Sequence, residues 1–485
     1  MTDSIVLEKA RTGGLTINGL TFRSQDVRSG FVFFALKGAN ADGNRYIADA
    51  VKRGAVMVVS SVAPAEPCPV LYYQSPDIDR DMADAAYEFY GRPSDAMKMI
   101  GITGTKGKTS IAYLIESVLS GAGEKVGALG TVSYRIAGRK ICSAPNTTPA
   151  ALPLFELLAQ MKQEKCSSVV MEVSSHSLEL QRVRHIWYDT AVFTNLQRDH
   201  LDFHHTFENY FLAKQKLFEN LANPANPKPN RTAVINADDP YGRRLLELLK
   251  GRVKTVTFGL DNDADLKAEN IREFLTHTEF TAGGVKAKIN LLGRHNVYNA
   301  LAAWAACAAN GVPQKDIVRG LEVLGGVPGR MERIDEGQNF FTFVDFAYTD
   351  ESLQRAFKTV EPFKKGRVLV VFGCGGQRDR TKRPLMGRTA CLNADRVFLT
   401  NDNPRCEDPN QIFSDILAGM KEFSNYETVP DRAEAIGRAL AAARENDIVI
   451  VAGKGHEDYQ IIGTEKRHFS DQEAVRAFLR EKKYV

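Results

Sequence analysis

A chain of 485 residues is long enough for about three domains, each burying its own core. Hydrophobic content of 44% and charged content of 25% are those of a soluble globular protein. With 63 basic against 59 acidic side chains the net charge is +4, too weak to direct the chain to nucleic acid or a membrane surface.

The seven cysteines are scattered and form no C-x-x-C pair, which argues against zinc and against a secreted disulfide framework and favours a reducing cytoplasm. The N-terminal run MTDSIVLEKARTGG lacks the basic-then-apolar layout of a signal peptide, and the alanine-rich run Ala300 to Ala309 is too short to span a bilayer. No heptad seam is sustained. A cytoplasmic monomer without nucleic-acid or membrane partners is the expectation.

In chain order, residues 1–95 predict a small α/β unit. Its strands are FVFFAL and AVMVVSS, with a helix from Tyr46 to Lys52, a proline-rich passage from Ala63 to Pro69, and a helix from Asp81 to Tyr90. Gly91-Arg92-Pro93 ends that last helix, because glycine stops it and proline prevents its resumption. Residues 96–327 alternate apolar strands (MIGIT, SSVVMEVSS, TAVFTNL, TAVINADD, KTVTFG) with helices, the signature of a mostly parallel sheet covered on both faces. NPANPKPN, at 223–230, reads as a proline-broken surface loop. The helix Asn296 to Asn310 closes at Gly311, and GGVPG at 325–329 reads as a hinge. Residues 328–485 repeat the alternation with FFTFVDF, RVLVVFG, ADRVFLT and NDIVIVAG, giving a third, Rossmann-like unit. The fold class is therefore α/β in three domains around a central phosphate-loop sheet.

The stretch MIGITGTKGKTS carries the most chemistry. An apolar strand enters a glycine-broken turn, and Lys108, Thr109 and Ser110 open an amphipathic helix. Helix N-termini present unpaired N–H groups and a positive dipole end to a phosphate, glycine lets the backbone wrap the anion, lysine neutralises it, and the hydroxyl can hold Mg²⁺. Gly104, Thr105, Lys106 and Gly107 with Lys108, Thr109 and Ser110 thus read as a nucleotide triphosphate site. The match to the usual phosphate-loop spacing is imperfect, because Ile102 stands where that pattern has glycine.

Strand ends are where α/β sheets place function. Glu172 ends an apolar strand, so its carboxylate must be solvated, paired or metal-bound; Asp199 and His200 follow the next strand. Thr109, Glu172 and His200 therefore form a candidate Mg²⁺ set. His204 and His205 read as surface residues and His176 as structural. The helix from Phe207 to Leu217 carries Lys214 and Lys216. Arg378 in GCGGQRDR and Arg405 in DNPR lie in turns after strands, and their planar two-pronged contacts suit an anionic substrate.

Together these blocks resemble the Mur ligases over essentially the full chain: GITGTKGKTS, MEVSSH, FTNLQRDHLDFH, the A-K pair at 213–214, GRHNVYN, VPGRMER and GCGGQRDR-TKRPLMG, in family order. The resemblance also accounts for the glycine spacing, since the family's loop reads GxxGTxGKT. NTTP at 146–149, DNPR at 402–405 and GKGHE at 453–457 point to members that add 2,6-diaminopimelate to a UDP-linked dipeptide.

The resemblance implies ATP and Mg²⁺ as cofactors and an acyl phosphate formed on the D-glutamate side-chain carboxylate of UDP-N-acetylmuramoyl-L-alanyl-D-glutamate. The amine of meso-diaminopimelate then captures that acyl group. It implies Lys108, Lys214, Glu172 and His200 as catalytic residues, with Lys214 carbamylated (N6-carboxylysine) and ligating metal beside Thr109, Glu172 and His200. Asn146, Thr147, Thr148, Ser174 and Arg182 are implied to hold the UDP-dipeptide, with Ser24 near the uridine. Asn296, Asn299, Arg330 and Asp345 are implied to contact ATP. Arg378, Asp402, Asn403, Pro404, Arg405, Gly453 and Glu457 are implied to hold diaminopimelate. The three domains 1–95, 96–327 and 328–485 are then expected to bind the UDP-substrate, ATP and the amino acid respectively.

The chain departs from the family at several positions. Arg23-Ser24-Gln25-Asp26 stands where a DSR block is frequent, Asn44 and Tyr348 stand where histidines are frequent, and Gln377 replaces an aspartate beside Arg378. Tyrosine cannot supply an imidazole, so no histidine role transfers to Tyr348. The competing readings are a lysine-adding ligase, a folylpolyglutamate-type ligase and a nucleotide-switch protein. A switch would not need the two arginine turns of the third unit.

Overall fold

A computed structural model describes residues 4–38, 41–64 and 66–482; residues 1–3 of the N-terminal run and residue 65 of the proline-rich passage lie outside the described residues. The chain divides into two compact units. One comprises residues 1–267 and 298–320, the other residues 268–297 and 321–485. Among the described residues no helix is long and apolar enough to cross a membrane.

The first unit holds two sheets. Gly19–Thr21, Phe31–Ala35, Ala55–Ser60 and Leu71–Gln74 pair in that order, all parallel. The helix Ile78–Phe89 follows; the Asp77 carboxylate caps it by accepting from the Arg80 N–H, and Gly91 and Arg92 leave it in left-handed backbone before Pro93.

In the second sheet the neighbours run Lys254–Gly259, Thr232–Asn236, Thr190–Phe193, Lys98–Thr103, Ser168–Glu172, Val126–Leu129, Ser133–Ile136 and Arg139–Ser143. The first six pair parallel and the last two form an antiparallel extension. The central strand Lys98–Thr103 is buried from Met99 onward, as expected of a strand covered on both faces. Its register sets Ile102 beside Glu172 and beside Val192, so the loops leaving these three adjacent strands emerge at one edge. A glycine is required at position 101 because an added Cβ would fall 2.7 Å from the ring of the fully buried Tyr188.

The second unit contains an antiparallel hairpin, Thr278–Ala282 against Val285–Ile289, and a six-stranded sheet. That sheet runs Glu332–Ile334, Phe341–Asp345, Ile448–Ala452, Val368–Phe372, Arg396–Leu399 and Tyr426–Thr428, parallel except at its first strand. Strand residues alternate between two cores. Phe343, Val370, Phe372, Val397 and Ile450 pack with the helices Asp350–Val360, Lys382–Asn393 and Pro409–Leu417. Val344, Leu369, Val371, Phe398 and Val449 pack with Arg432–Ala442 and Asp471–Lys482. The parallel order places the C-terminal ends of four strands side by side, at Asp345, Ala452, Phe372 and Leu399.

Replacing Gly101 by Ala is expected to lower the unfolding free energy of the first unit by about 1–3 kcal/mol through overpacking against Tyr188. Combining it with Tyr188→Leu is expected to cost less than the sum of the two changes, a coupling that equilibrium denaturation of the single and double variants measures.

Candidate functional site

The phosphate loop leaves the central strand at Gly104 (φ +143°) and enters the helix Lys108–Gly121 through Gly107 (φ +91°), both outside the range comfortable for an L side chain. A Cβ at Gly104 would fall 1.9 Å from Thr194 Oγ1, and one at Gly107 2.4 Å from Asn299 Oδ1. The loop is strapped to the neighbouring strand end. The Thr105 N–H donates to Asn195 O (2.9 Å), the Lys106 N–H to Asn195 Oδ1 (3.0 Å), and the Thr194 hydroxyl to Lys106 O (2.7 Å). Thr105 Oγ1 also meets the Tyr210 hydroxyl (3.2 Å) and accepts from the Gln197 N–H (2.9 Å).

Two lysines converge on this turn. Lys108 Nζ donates to Gly104 O (2.9 Å) and Thr105 O (3.0 Å), and Lys214 Nζ donates to the same Gly104 O (2.9 Å). Lys214 comes from the helix Phe207–Ala222, capped by Thr206, whose buried face carries Tyr210, Lys214, Leu217, Phe218 and Leu221 at helical spacing. Lys214 is 1% exposed, with its ammonium 4.4 Å from the centre of the Tyr210 ring. Burial, and then the charge of Lys108, hold its pKa well below the ordinary lysine value. Lys216 lies off that face and forms a surface ion pair with Glu179 (2.7 Å).

Opposite stands Glu172, 1% exposed, at the end of the adjacent strand. It accepts from Thr109 Oγ1 (3.1 Å), Thr131 Oγ1 (2.9 Å) and the Thr131 N–H (2.8 Å), and makes no salt bridge among the described residues. A buried carboxylate surrounded by hydroxyls, without a cationic side chain, is a donor set suited to a hard divalent cation. Among the described residues no three His, Cys, Asp or Glu side chains gather into a metal site by themselves.

His200 has left-handed backbone (φ +54°) and an imidazole edge-on to His176 at 5.0 Å and to Tyr210 at 6.1 Å. Partial burial, together with Lys108 and Lys214, holds its pKa below the usual histidine range against the opposing pull of Asp199. His204 corrects the surface expectation. It is 4% exposed, its Nε2 meets Ser175 Oγ at 2.8 Å, and its ring packs against Tyr210. The short helix Leu201–His204 turns it inward, a reversal invisible to residue type; His205 is exposed as expected.

The segment Asn146–Thr148 runs alongside Glu172. Thr147 Oγ1 meets Thr131 Oγ1 (3.0 Å), Thr148 Oγ1 donates to Glu172 O (2.8 Å) and lies 3.3 Å from Ser174 Oγ, and Arg182 Nη1 donates to Thr148 O (3.3 Å). The Tyr134 hydroxyl fixes Asn146 O (2.7 Å). Ser24 is not part of this group; it lies in the 3-10 turn Ser24–Asp26 of the four-stranded sheet. Asn44 is locked in its own turn by Ser60 Oγ (2.6 Å) and Asp42 (2.8 Å). Asn299 packs over Gly107 as noted, whereas Asn296 belongs to the other unit and donates to Leu292 O (2.8 Å).

In the second unit Asp345 ends its strand and accepts from the Met331 N–H (2.7 Å). Burial raises its pKa to about 6 in spite of Arg330 and Arg355 nearby. Arg330 lies over Phe346, 5.5 Å from the ring centre. Tyr348 is half exposed and stacks edge-on to Phe346, with the Lys382 ammonium above it.

Asp402, Asn403, Pro404, Arg405, Gly453 and Glu457 form one cluster. Asn403 Nδ2 donates to Glu457 Oε2 (2.8 Å), Arg405 Nη1 donates to Gly376 O (2.8 Å), and the Arg405 N–H donates to Ile461 O (2.9 Å). A Cβ at Gly453 (φ +118°) would touch Asp402 Oδ2 at 3.0 Å, and one at Gly376 would strike Pro404 O at 1.9 Å. The Arg405 guanidinium meets only carbonyl oxygens among the described residues, so no carboxylate among them balances its charge. Arg378 is exposed in the loop beside it. Gln377 contributes its backbone N–H to Glu407 (2.8 Å), so that loop is tethered through the main chain whatever side chain residue 377 carries.

Sequence reasoning missed Thr131, Tyr210, Arg383 and Lys454. Thr131 precedes a hairpin strand too short to register as a pattern. Lys454 stood inside the quoted GKGHE block without a role.

Three family models match the chain: the Mur ligase family catalytic domain over residues 16–87, the Mur ligase middle domain over 102–307, and the Mur ligase glutamate ligase domain over 329–455. Among curated relatives, a UDP-N-acetylmuramoyl-L-alanyl-D-glutamate–2,6-diaminopimelate ligase from Geobacter sulfurreducens is 42% identical over 96% of both chains. Its counterpart from Geobacillus thermodenitrificans is 43% identical over 98% of this chain and 97% of that one. A solved structure of a ligase of the same description superposes with TM-score 0.68 at 31% identity, covering 97% of this chain and 96% of the other. A MurF ligase from Thermotoga maritima, solved with ADP, superposes with TM-score 0.60 at 18% identity, a likeness of fold alone.

The burial of His204 has a measurable consequence. Burial, and then His176, push its pKa down to about 4 from 6.5, so between pH 6.5 and 4 the unfolded chain binds the proton that the folded chain refuses. Stability is expected to fall as pH drops through this window, and His204→Gln is expected to flatten that part of the curve. Denaturation midpoints from pH 4 to 8 measure both.

Proposed function

The chain belongs to the Mur ligase family, and from that premise we propose that it uses ATP to join meso-2,6-diaminopimelate to the D-glutamate side-chain carboxylate of UDP-N-acetylmuramoyl-L-alanyl-D-glutamate. The observation that carries the reading is the convergence of Lys108 and Lys214 on the Gly104 carbonyl, at a glycine-broken strand–helix junction whose Thr109 hydroxyl donates to the buried carboxylate of Glu172.

A carboxylate is a poor acyl donor at neutral pH, so the dipeptide's carboxylate first takes the γ-phosphoryl group of ATP, releasing ADP. The amine then attacks the acyl carbon, and inorganic phosphate leaves from the tetrahedral intermediate while the amine proton passes to solvent. Phosphoryl transfer asks the protein mainly for position and charge neutralisation. The backbone from Gly104 to Ser110 wraps the phosphates at the helix N-terminus, and Lys108 exchanges its two carbonyl partners for phosphate oxygens. Asn299 closes the loop over Gly107, and Asn296, Arg330 and Asp345 are assigned to the nucleotide.

Thr109, Glu172 and His200, with a carbamylated Lys214, would hold Mg²⁺, which supplies further neutralisation of the phosphate charge. Burial supports the modification: an uncharged amine adds CO₂ with loss of a proton, and the resulting carbamate turns a cation-repelling group into an oxygen ligand. Asn146, Thr147, Thr148, Ser174 and Arg182 are assigned to the UDP-dipeptide, with Ser24 toward its uridine end. Arg378, Asp402, Asn403, Pro404, Arg405, Gly453 and Glu457 are assigned to the amino acid. We assign residues 1–95, 96–327 and 328–485 to UDP-substrate, ATP and amino acid in turn.

Diaminopimelate differs from lysine by one carboxylate. Lysine would leave the Arg405 guanidinium without a carboxylate partner, a selectivity of about 10³-fold or more.

ADP release with the UDP-dipeptide, compared across diaminopimelate, lysine and no amino acid, tests the reading. Release that requires diaminopimelate is expected, release without any amino acid supports a plain ATPase, and release with lysine alone overturns the role of Arg405. Arg405→Ala is expected to cut kcat/KM for diaminopimelate by about 10²-fold or more while leaving the KM for ATP within about twofold.

A further inference from the structure

Lys454 is fully buried, and an ammonium in that position must be compensated. Its Nζ lies 3.3 Å from Glu457 Oε2, 3.3 Å from Asn403 Oδ1 and 3.8 Å from Asp402 Oδ1, with the Tyr459 ring centre 5.5 Å away. Among the described residues it is the one cation within ion-pair distance of Asp402 or Glu457. The neighbouring Arg432 is already taken, held by both oxygens of Asp471 at 2.7 Å.

The contacts divide the pocket's donors and acceptors. Asn403 Oδ1 accepts from Lys454 and from the Ile461 N–H (2.9 Å), which forces the amide's Nδ2 toward Glu457. Glu457 Oε2 is then occupied by Asn403 and Lys454, while its Oε1 has only a long contact to the Tyr459 hydroxyl (3.4 Å). One carboxylate oxygen is thereby less committed among the described residues and has capacity to accept from an ammonium. Lys454 also cancels one of the two negative charges of Asp402 and Glu457, so the pocket's remaining anion and the Arg405 guanidinium, which meets no carboxylate among the described residues, match an ammonium and a carboxylate together.

We propose that Lys454 is a positioning residue that makes this pocket selective for an amino acid ending in an ammonium–carboxylate pair over one ending in a bare ammonium. It does so by orienting Glu457 and Asn403 and by balancing Asp402. The inference rests on the amino-acid assignment made above. Without Lys454 the pocket carries one more uncompensated negative charge, which favours the bare ammonium of lysine, and Glu457 loses its fixed orientation.

The test uses the full-length enzyme with Lys454→Met, which keeps the length of the side chain without charge or donor. Lys454→Gln is its companion; it keeps a donor for Glu457 or Asn403 and so retains the fold. In both, the KM for diaminopimelate is expected to rise, by at least about tenfold in the Met variant, with the KM values for ATP and UDP-dipeptide within about twofold. The ratio of kcat/KM for diaminopimelate to that for lysine is expected to fall by about tenfold or more. A residue that merely supports the fold would lower both amino acids, ATP and UDP-dipeptide alike and leave the ratio unchanged; that result in either variant overturns the proposal. Wild-type enzyme that makes no product with diaminopimelate would instead sink the assignment on which this inference rests.

Discussion

The first unit depends on one crowded junction, where a buried strand ends in a turn that only glycine can make. Gly104 admits Thr194 against its Cα, Gly107 admits Asn299, and the Gly104 carbonyl accepts from two lysine side chains whose charges repel each other. Burial, and then the like charge of Lys108, disfavour the Lys214 ammonium and hold its pKa well below the ordinary lysine value. An anion at the helix N-terminus would relieve that repulsion.

The second unit meets a different constraint, which is to keep loops at four strand ends in place around guanidinium and carboxylate groups. Buried ion pairs serve as fasteners. The fully buried Arg383 side chain bridges Glu407 (2.6 Å) and Asp415 (2.8 Å), and hydrogen bonds from Arg383 hold the Glu407 carboxyl down to about 2. Through Glu407 the pair ties down the Gln377 backbone, and through Arg383 Nη2 it reaches Gly375 O (3.3 Å). Breaking such a pair on one side leaves an uncompensated buried charge, which is why these loops keep one arrangement. Gln377 and Arg405 sit in left-handed backbone (φ +54° each), strain of order 1–3 kcal/mol that this surrounding network sustains.

Much of the architecture was legible from residue order. Strands buried on both faces, such as Lys98–Thr103, Ser168–Glu172, Val368–Phe372 and Ile448–Ala452, announce themselves as unbroken apolar runs between turn residues. The hairpins at Ser133–Ile136 with Arg139–Ser143 and at Thr278–Ala282 with Val285–Ile289 did not, because each strand is only four or five residues long and the outer strand Arg139–Ser143 faces solvent along most of its length. Helix ends drifted for a related reason. The helix expected from Asp81 begins at Ile78, where the Asp77 cap, rather than apolar spacing, sets the start.

By itself the sequence determined the α/β alternation, the glycine-wrapped helix start and the residue types at each strand end, because those depend on local backbone freedom and on which runs must leave water. Only the tertiary structure decided which of two nearby lysines is buried, how His204 turns inward, and that Lys454 lies beneath Asn403 and Glu457. These are questions of partnership. Whether a polar side chain faces solvent or another charge is set by groups distant along the chain, and no local pattern encodes that distance.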